Sequence, residues 1–155
     1  MKENDLDYIN QQIIKNLSED GRLPFSELAK KLKISNSLVH QRVRKLQESG
    51  VISGYSVNID PIKLGYQTHT YTGIVTKEAS HAYTIAEALK KVSNVVECHL
   101  VSGKYALLIK IVARNNDELR EILYKHIHTI EGVGSTDSFI SFGQVFERNI
   151  ETTKI

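Results

Sequence analysis

The chain has 155 residues, 41% of them hydrophobic, which is enough for one ordinary domain or two small ones with packed cores and excludes a disordered chain. No run approaches the roughly 18 consecutive apolar residues of a membrane span, and the opening MKENDLDYINQQ has no basic stretch followed by an apolar block, so a cytoplasmic protein with no membrane partner is expected. The formal net charge of +2 conceals an uneven distribution: residues 1–27 carry three bases against six acids, whereas residues 28–47 carry six bases and no acid.

The apolar positions Leu6, Ile9, Ile13, Ile14 and Leu17 follow the three-and-four spacing of an amphipathic helix. Asn4 or Asp5 is expected to cap it, and SEDG at 18–21 to stop it, with Gly21 left-handed at the exit. Pro24 suits the first turn of a second helix, for which Leu28, Ala29 and Leu32 supply an apolar face. Lys33 and Ile34 form a tight connection and Ser35 caps a third helix. Its inner stripe is Leu38, Val39, Val43 and Leu46, and Gly50 ends it.

Three short helices with a tight turn between the second and third describe a helix-turn-helix unit. The spacing puts Ser37, Gln41 and Arg44 on one outward face of the third helix, with Asn36 and His40 beside them. Amide and guanidinium side chains are what the DNA major groove can read, Gln or Asn pairing with adenine and Arg with guanine. Lys33, Arg42 and Lys45, with the backbone N–H groups after Ser35, are expected at phosphates, which position a protein without reading sequence. The plainer alternative is a three-helix packing module whose polar face is only solvated.

Residues 51–66 read as a strand-like linker in which Val51, Tyr55, Val57 and Ile59 alternate, broken by Gly54 and ended at Pro61. Pairing of two such segments would relate two recognition helices by a twofold axis, matching a palindromic site on double-stranded DNA. From Gln67 the pattern alternates: a strand QTHTYTGIVTK, then a helix from Ser80 burying Ala82, Ile85, Ala86, Leu89 and Val92. Strands VVECHLVS and YALLIKIV follow, then a helix after Asn116 burying Leu119, Ile122, Leu123, Ile127 and Ile130, and a long last strand VGSTDSFISFGQVF. The order βαββαβ predicts a ferredoxin-like sandwich with one sheet face open. Tyr71, Ile109 and Phe139, or their strand neighbours, are expected on that face, packing on a second copy. Cys98, the single cysteine, is expected to be a small buried strand residue and cannot form an internal disulfide. His126 and His128, two apart on a helix, lie about 200° apart and cannot share an ion, so neither metal nor cofactor is expected.

Over nearly its whole length the chain resembles the Lrp/AsnC, or feast/famine, transcription regulators. The resemblance is carried by Leu6-Asp7, EDGRLPFSELAKKLKIS at 19–35, RVRKL at 42–46, ESGVISGY at 48–55, IDPIKLGY at 59–66, VSGKY at 101–105 and EGVGSTDS at 131–138. It implies an α+β architecture: an N-terminal winged-type helix-turn-helix domain (1–50), the linker (51–66), and a C-terminal ferredoxin-like βαββαβ sandwich, the RAM domain (67–155), for effector binding and oligomerisation. It implies no enzymatic activity, a homodimer that assembles further into tetramers or octamers, and tuning by a small-molecule effector, commonly an amino acid, held between dimers. The effector positions implied are Ser102, Gly103, Lys104, Tyr105 and Ala106 in the turn between the second and third strands, with Thr136 and Ser138 across the contact. Gly103 brings backbone N–H groups close to a carboxylate, and the two hydroxyls alternate along a strand. The family usually has Asp where this chain has Ala106, which removes a group that could pair with a ligand ammonium. By residue type alone, Gly103 is equally a hairpin-turn glycine. Two other functions share the pattern: a siroheme-decarboxylase-like enzyme of the same fold, and an effector-independent architectural DNA-binding protein.

Overall fold

A computed structural model describes residues 6–150. They form two compact units, one running to Asn58 and resuming at Phe146, the other spanning Ile59–Val145. The segment 51–66 is divided between them, 51–58 falling with the first unit and 59–66 with the second. Val51 and Ile52 pack on the core of the first unit, and Asn149 Nδ2 donates to the Ser18 carbonyl at 3.1 Å, which draws 146–150 into that unit rather than the second. No strand forms between Val51 and Asp60, because each of those backbone groups lacks a neighbouring strand within the chain.

The first unit contains α1 (Tyr8–Glu19), α2 (Phe25–Leu32) and α3 (Asn36–Glu48). Asp7 caps α1, its Oδ1 accepting from the Asn10 N–H at 2.8 Å; the expected caps Asn4 and Asp5 lie outside the described residues. Asp20 ends the helix by accepting from the Arg22 N–H on Oδ1 and the Leu23 N–H on its carbonyl, so Gly21 has no need of the left-handed conformation and does not adopt it. Pro24 precedes α2 as its extended N-cap instead of entering the first turn. Ile13, Leu17, Leu28, Ala29, Val39, Val43 and Leu46 make the core, each large apolar side chain contributing about 2 kcal/mol by leaving water. Leu38, expected inside, is only half-buried.

The second unit begins with a short 3₁₀ turn (Ile62–Leu64). It continues with β1 (Thr68–Thr76), α4 (His81–Leu89), β2 (Val95–Leu100), β3 (Leu107–Ala113), α5 (Asn116–Glu121) with a π-helical continuation (Ile122–Ile127), and β4 (Val133–Ser141). The strands are antiparallel in the order β2-β3-β1-β4, as the βαββαβ pattern requires. Leu107, Ile109, Ile111 and Ala113 alternate inward along β3 and are buried with Ile74, Ile85, Leu89, Ile122 and Ile127.

That alternation corrects the open sheet face. Ile109 points at the helices, and its neighbour Lys110 occupies the open side, opposite Tyr71, which in turn faces Phe139. Tyr71 and Phe139 are 39% and 57% exposed, as expected of an uncovered face. The last strand stops at Ser141, and Phe142, Val145 and Phe146 stand in solvent. Cys98 is exposed, not buried, because β2 is an edge strand; its remaining burial pushes the thiol up. The helix after Asn115 opens into a π turn at Ile122, where the His128 N–H reaches back to the Leu123 carbonyl at 2.8 Å.

Candidate nucleic-acid interface and effector turn

The turn before α3 is made by Lys33, left-handed at φ 55°, whose N–H bonds to the carbonyls that end α2. Ser35 Oγ then accepts from the Leu38 N–H at 3.2 Å and lies 3.0 Å from Ser37 Oγ, fixing the start of α3. Asn36, Ser37, His40, Gln41, Arg44 and Lys45 are all exposed. Taking about 100° per residue, Gln41 and Arg44 lie within roughly 40° of Ser37 around the helix, a single face. His40 is steadied by an edge contact with the Phe25 ring, centroids 4.8 Å apart.

Two of the six bases are tied to side chains of α1, Lys31 while still exposed and Arg42 with its side chain turned inward. Lys31 Nζ donates to Oδ1 of the buried Asn16. Arg42, expected at a phosphate, instead donates from Nη1 to Asp7 Oδ2 at 2.5 Å and to Asn10 Oδ1 at 3.1 Å, with only 25% of its side chain exposed. Its angular position explains this: Arg42 lies about 40° from Leu46 and about 140° from Ser37, on the buried side of the helix. Bonded first to that guanidinium and then to the Asn10 N–H, the Asp7 carboxyl sits below its usual range. Arg44 remains on the outward face, where its Nε donates to Glu48 at 2.7 Å, one turn on. Glu48 lies just beyond the acid-free stretch 28–47, at the i+4 spacing from Arg44 that pairs side chains along a helix face.

At the other candidate site, Gly103 turns the chain at φ 111°, and the Ala106 N–H donates to the Ile74 carbonyl at 2.9 Å. The Tyr105 ring lies flat over Gly73, so close that a Cβ on Gly73 would meet the ring at 2.5 Å. Tyr105 Oη donates to Asp137 Oδ2 at 2.9 Å, and Lys104 Nζ donates to the same oxygen at 2.5 Å. Lys104 and then Tyr105 hold the Asp137 carboxyl below its ordinary value, and Asp137 in return raises Lys104. Ser102 and Gly103 are exposed and Ala106 is half-buried.

Thr136 and Ser138 do not meet this turn within one chain. Asp137 pairs with Gly73 on the open face, whereas Thr136 and Ser138 are opposite Ile74 and Thr72 on the helix side. There Ser138 Oγ lies 2.9 Å from Thr72 Oγ1, and Thr136 Oγ1 lies 2.7 Å from His128 Nε2. Asp137 was not singled out from the sequence, and His128 only to discount it as a metal ligand; the β1–β4 register and the π turn bring them to these partners. Among the described residues no group of three His, Cys, Asp or Glu side chains could hold a metal, and no helix is long and apolar enough to cross a membrane.

Residues 6–53 match the family described as winged helix-turn-helix DNA-binding, and residues 71–150 match the Lrp/AsnC ligand binding domain. The regulatory protein AsnC of Haemophilus influenzae is 33% identical over 146 residues, covering 94% of this chain and 97% of its own. The transcriptional regulator LrpA of Pyrococcus horikoshii is 41% identical over 128 residues, covering 83% and 90%. The structure of E. coli AsnC superposes with a TM-score of 0.88 at 29% identity, covering 94% of this chain and 98% of that one. A feast or famine regulatory protein from M. tuberculosis, complexed with L-methionine, superposes at 0.85 and 29%, covering 92% and 95%. With both domains matched in order and the helix-turn-helix geometry intact, this chain belongs to the Lrp/AsnC family of DNA-binding transcriptional regulators.

Proposed function

We propose that the protein is a cytoplasmic, non-enzymatic homodimer that recognises palindromic sites on double-stranded DNA and answers to a small effector, an amino acid, bound in its second domain. The observation that carries DNA reading is the outward face of α3, where Asn36, Ser37, His40, Gln41 and Arg44 are exposed together on one side. Lys33, Lys45 and the N–H groups after Ser35 take phosphates. The Arg44–Glu48 pair is exposed on both sides, so exchanging Glu48 for a guanine edge costs little.

The open sheet face with Tyr71 and Phe139, and the exposed Phe142, Val145 and Phe146, support a second copy as partner, with tetramers or octamers as further assemblies. An amino-acid effector is supported by the matched ligand binding domain and by the methionine complex of the mycobacterial relative. Its site would be formed by Ser102, Gly103, Lys104, Tyr105 and Ala106, with Thr136 and Ser138 supplied across a contact between dimers. Because Ala106 has no charge, Asp137 is the carboxylate this turn offers to a ligand ammonium. An effector that binds one assembly better than another shifts the population and with it DNA affinity.

The test is selection from random duplexes at physiological salt with wild-type, Arg44→Ala and Lys45→Ala proteins. A palindromic motif is expected for the wild type. Arg44→Ala should relax it at one position per half-site, whereas Lys45→Ala should weaken binding uniformly. Identical behaviour of the two variants on selected and scrambled duplexes would contradict the assignment of roles, and enrichment of no motif would favour an architectural DNA-binding protein.

A further inference from the structure

The basic stretch 28–47 reads as one DNA-facing charge cluster, yet Arg42 faces the other way. Its Nη1 is shared between Asp7 Oδ2 and Asn10 Oδ1, and its Nε is buried with no hydrogen-bond partner among the described residues. Asp7 is used twice: Oδ1 caps the first turn of α1 and Oδ2 holds Arg42. One carboxylate thus joins the start of α1 to the middle of α3. We propose that Arg42 is a positioning residue, which through Asp7 and Asn10 fixes the rotation of α3 about its own axis and so decides which base edges Gln41 and Arg44 reach. The inference rests on the reading of α3 as the base-reading helix.

The physical need for such a clamp comes from how α3 is otherwise held. Val39, Val43 and Leu46 pack in the apolar core with Ile13 and Leu17. Apolar burial is non-directional, so it sets the distance of a helix from its neighbours far better than its rotation. Side-chain ends sit about 6 Å from a helix axis, and a rotation of about 20° moves them by about 2 Å. A base hydrogen bond tolerates only a few tenths of an ångström. A planar guanidinium bonded to two acceptors on a second helix resists that rotation, since turning α3 either way lengthens one bond or the other.

The experiment measures DNA affinity by fluorescence anisotropy for wild type, Arg42→Gln, Asp7→Asn and the double variant, each at a temperature where circular dichroism shows it folded. The probes are the duplex selected by the wild type and a scrambled duplex, each across a salt series. Asn is as good a helix cap as Asp, so Asp7→Asn keeps α1 and removes only the ionic bond to Arg42. The expected result is a loss of roughly tenfold or more on the selected duplex, the worth of one misaligned base contact, with affinity for the scrambled duplex and the salt slope unchanged. Asp7→Asn should lose as much as Arg42→Gln, and the double variant no more than either.

A direct phosphate contact predicts otherwise: Arg42→Gln would weaken both duplexes alike and lower the salt slope by about 0.9 per contact, and Asp7→Asn would leave affinity unchanged or raise it. That outcome overturns the proposal. So does a lower melting temperature with the wild-type ratio of selected to scrambled affinity, which would make the clamp a matter of stability alone. Should Arg42→Gln not fold, Asp7→Asn carries the test by itself. A wild type that selects no motif would instead remove the premise that α3 reads bases, and the inference with it.

Discussion

Replacing Gly73 by Ala puts a methyl group against Tyr105 at 2.5 Å from Cγ, 2.6 Å from Cδ1 and 2.7 Å from Cδ2, well inside van der Waals contact. These atoms are at the root and near edge of the ring, so no small swing of a side-chain tip relieves the clash. Either the ring leaves β1, losing its bond to Asp137, or the 102–106 turn moves away from the sheet. Forced overpacking of this kind costs about 1–3 kcal/mol, and we expect Gly73→Ala to destabilise by about 2 kcal/mol. In a Tyr105→Ala background the same methyl meets no ring. It then restricts the unfolded chain and should stabilise by about 0.5–1 kcal/mol. The two substitutions should therefore be coupled by about 2–3 kcal/mol in a double-mutant cycle measured by urea denaturation with far-ultraviolet circular dichroism. Equal cost of Gly73→Ala in both backgrounds, within about 0.5 kcal/mol, would refute the packing of Tyr105 on Gly73 and with it the placement of the effector turn.

Lys33 holds a left-handed conformation that costs a non-glycine residue about 1 kcal/mol, so Lys33→Gly should raise the thermal midpoint of the first unit. The same change removes a phosphate-facing charge, and its DNA affinity should fall with a salt slope smaller by about 0.9; gain or loss of both properties together would contradict this division. The Asp7 carboxyl is held below its ordinary value by Arg42, so its contribution to stability is complete above the usual carboxylate range and is lost as pH falls through the depressed folded value. Acid titration of unfolding should consequently be shallower in Asp7→Asn than in wild type below about pH 4, and superimposable limbs would exclude the ion pair as a source of acid sensitivity.

Local rules carried much of the fold, and long-range partners defeated them. The three helices of the first unit were legible because Ile13, Leu17, Val39, Val43 and Leu46 keep helical spacing and Ser35 is a strong cap. The outward face of α3 followed from the same arithmetic. The partner of Arg42 did not, since Asp7 lies 35 positions earlier and only tertiary packing joins them. In β3 the run LLIKIVA is nearly all apolar, so alternation does not announce which face is inside; Lys110 was the single polar mark, and it shows Ile109 to be internal. Tyr105 and Asp137 meet because the β1–β4 register sets Gly73 opposite Asp137, and no pattern along either strand specifies that offset. The segment 51–60 has the alternation of a strand but no partner in its own chain, and alternation without a partner leaves backbone groups to water.

The π turn at Ile122–Ile127 gives a length to this chain that is also an angle. Its wider hydrogen-bonding loop accommodates one residue more than an α-helix would over the same rise, and everything downstream is rotated accordingly. Deleting one residue there would let the ordinary ladder resume and swing the preceding face by about 100° relative to β4. His128 would part from Thr136, and Tyr124, whose ring now meets the His128 ring at 5.1 Å, would leave its neighbour. A one-residue gap in this helix, trivial when relatives are compared by length, is thus equivalent to substituting every side chain the helix presents to the last strand.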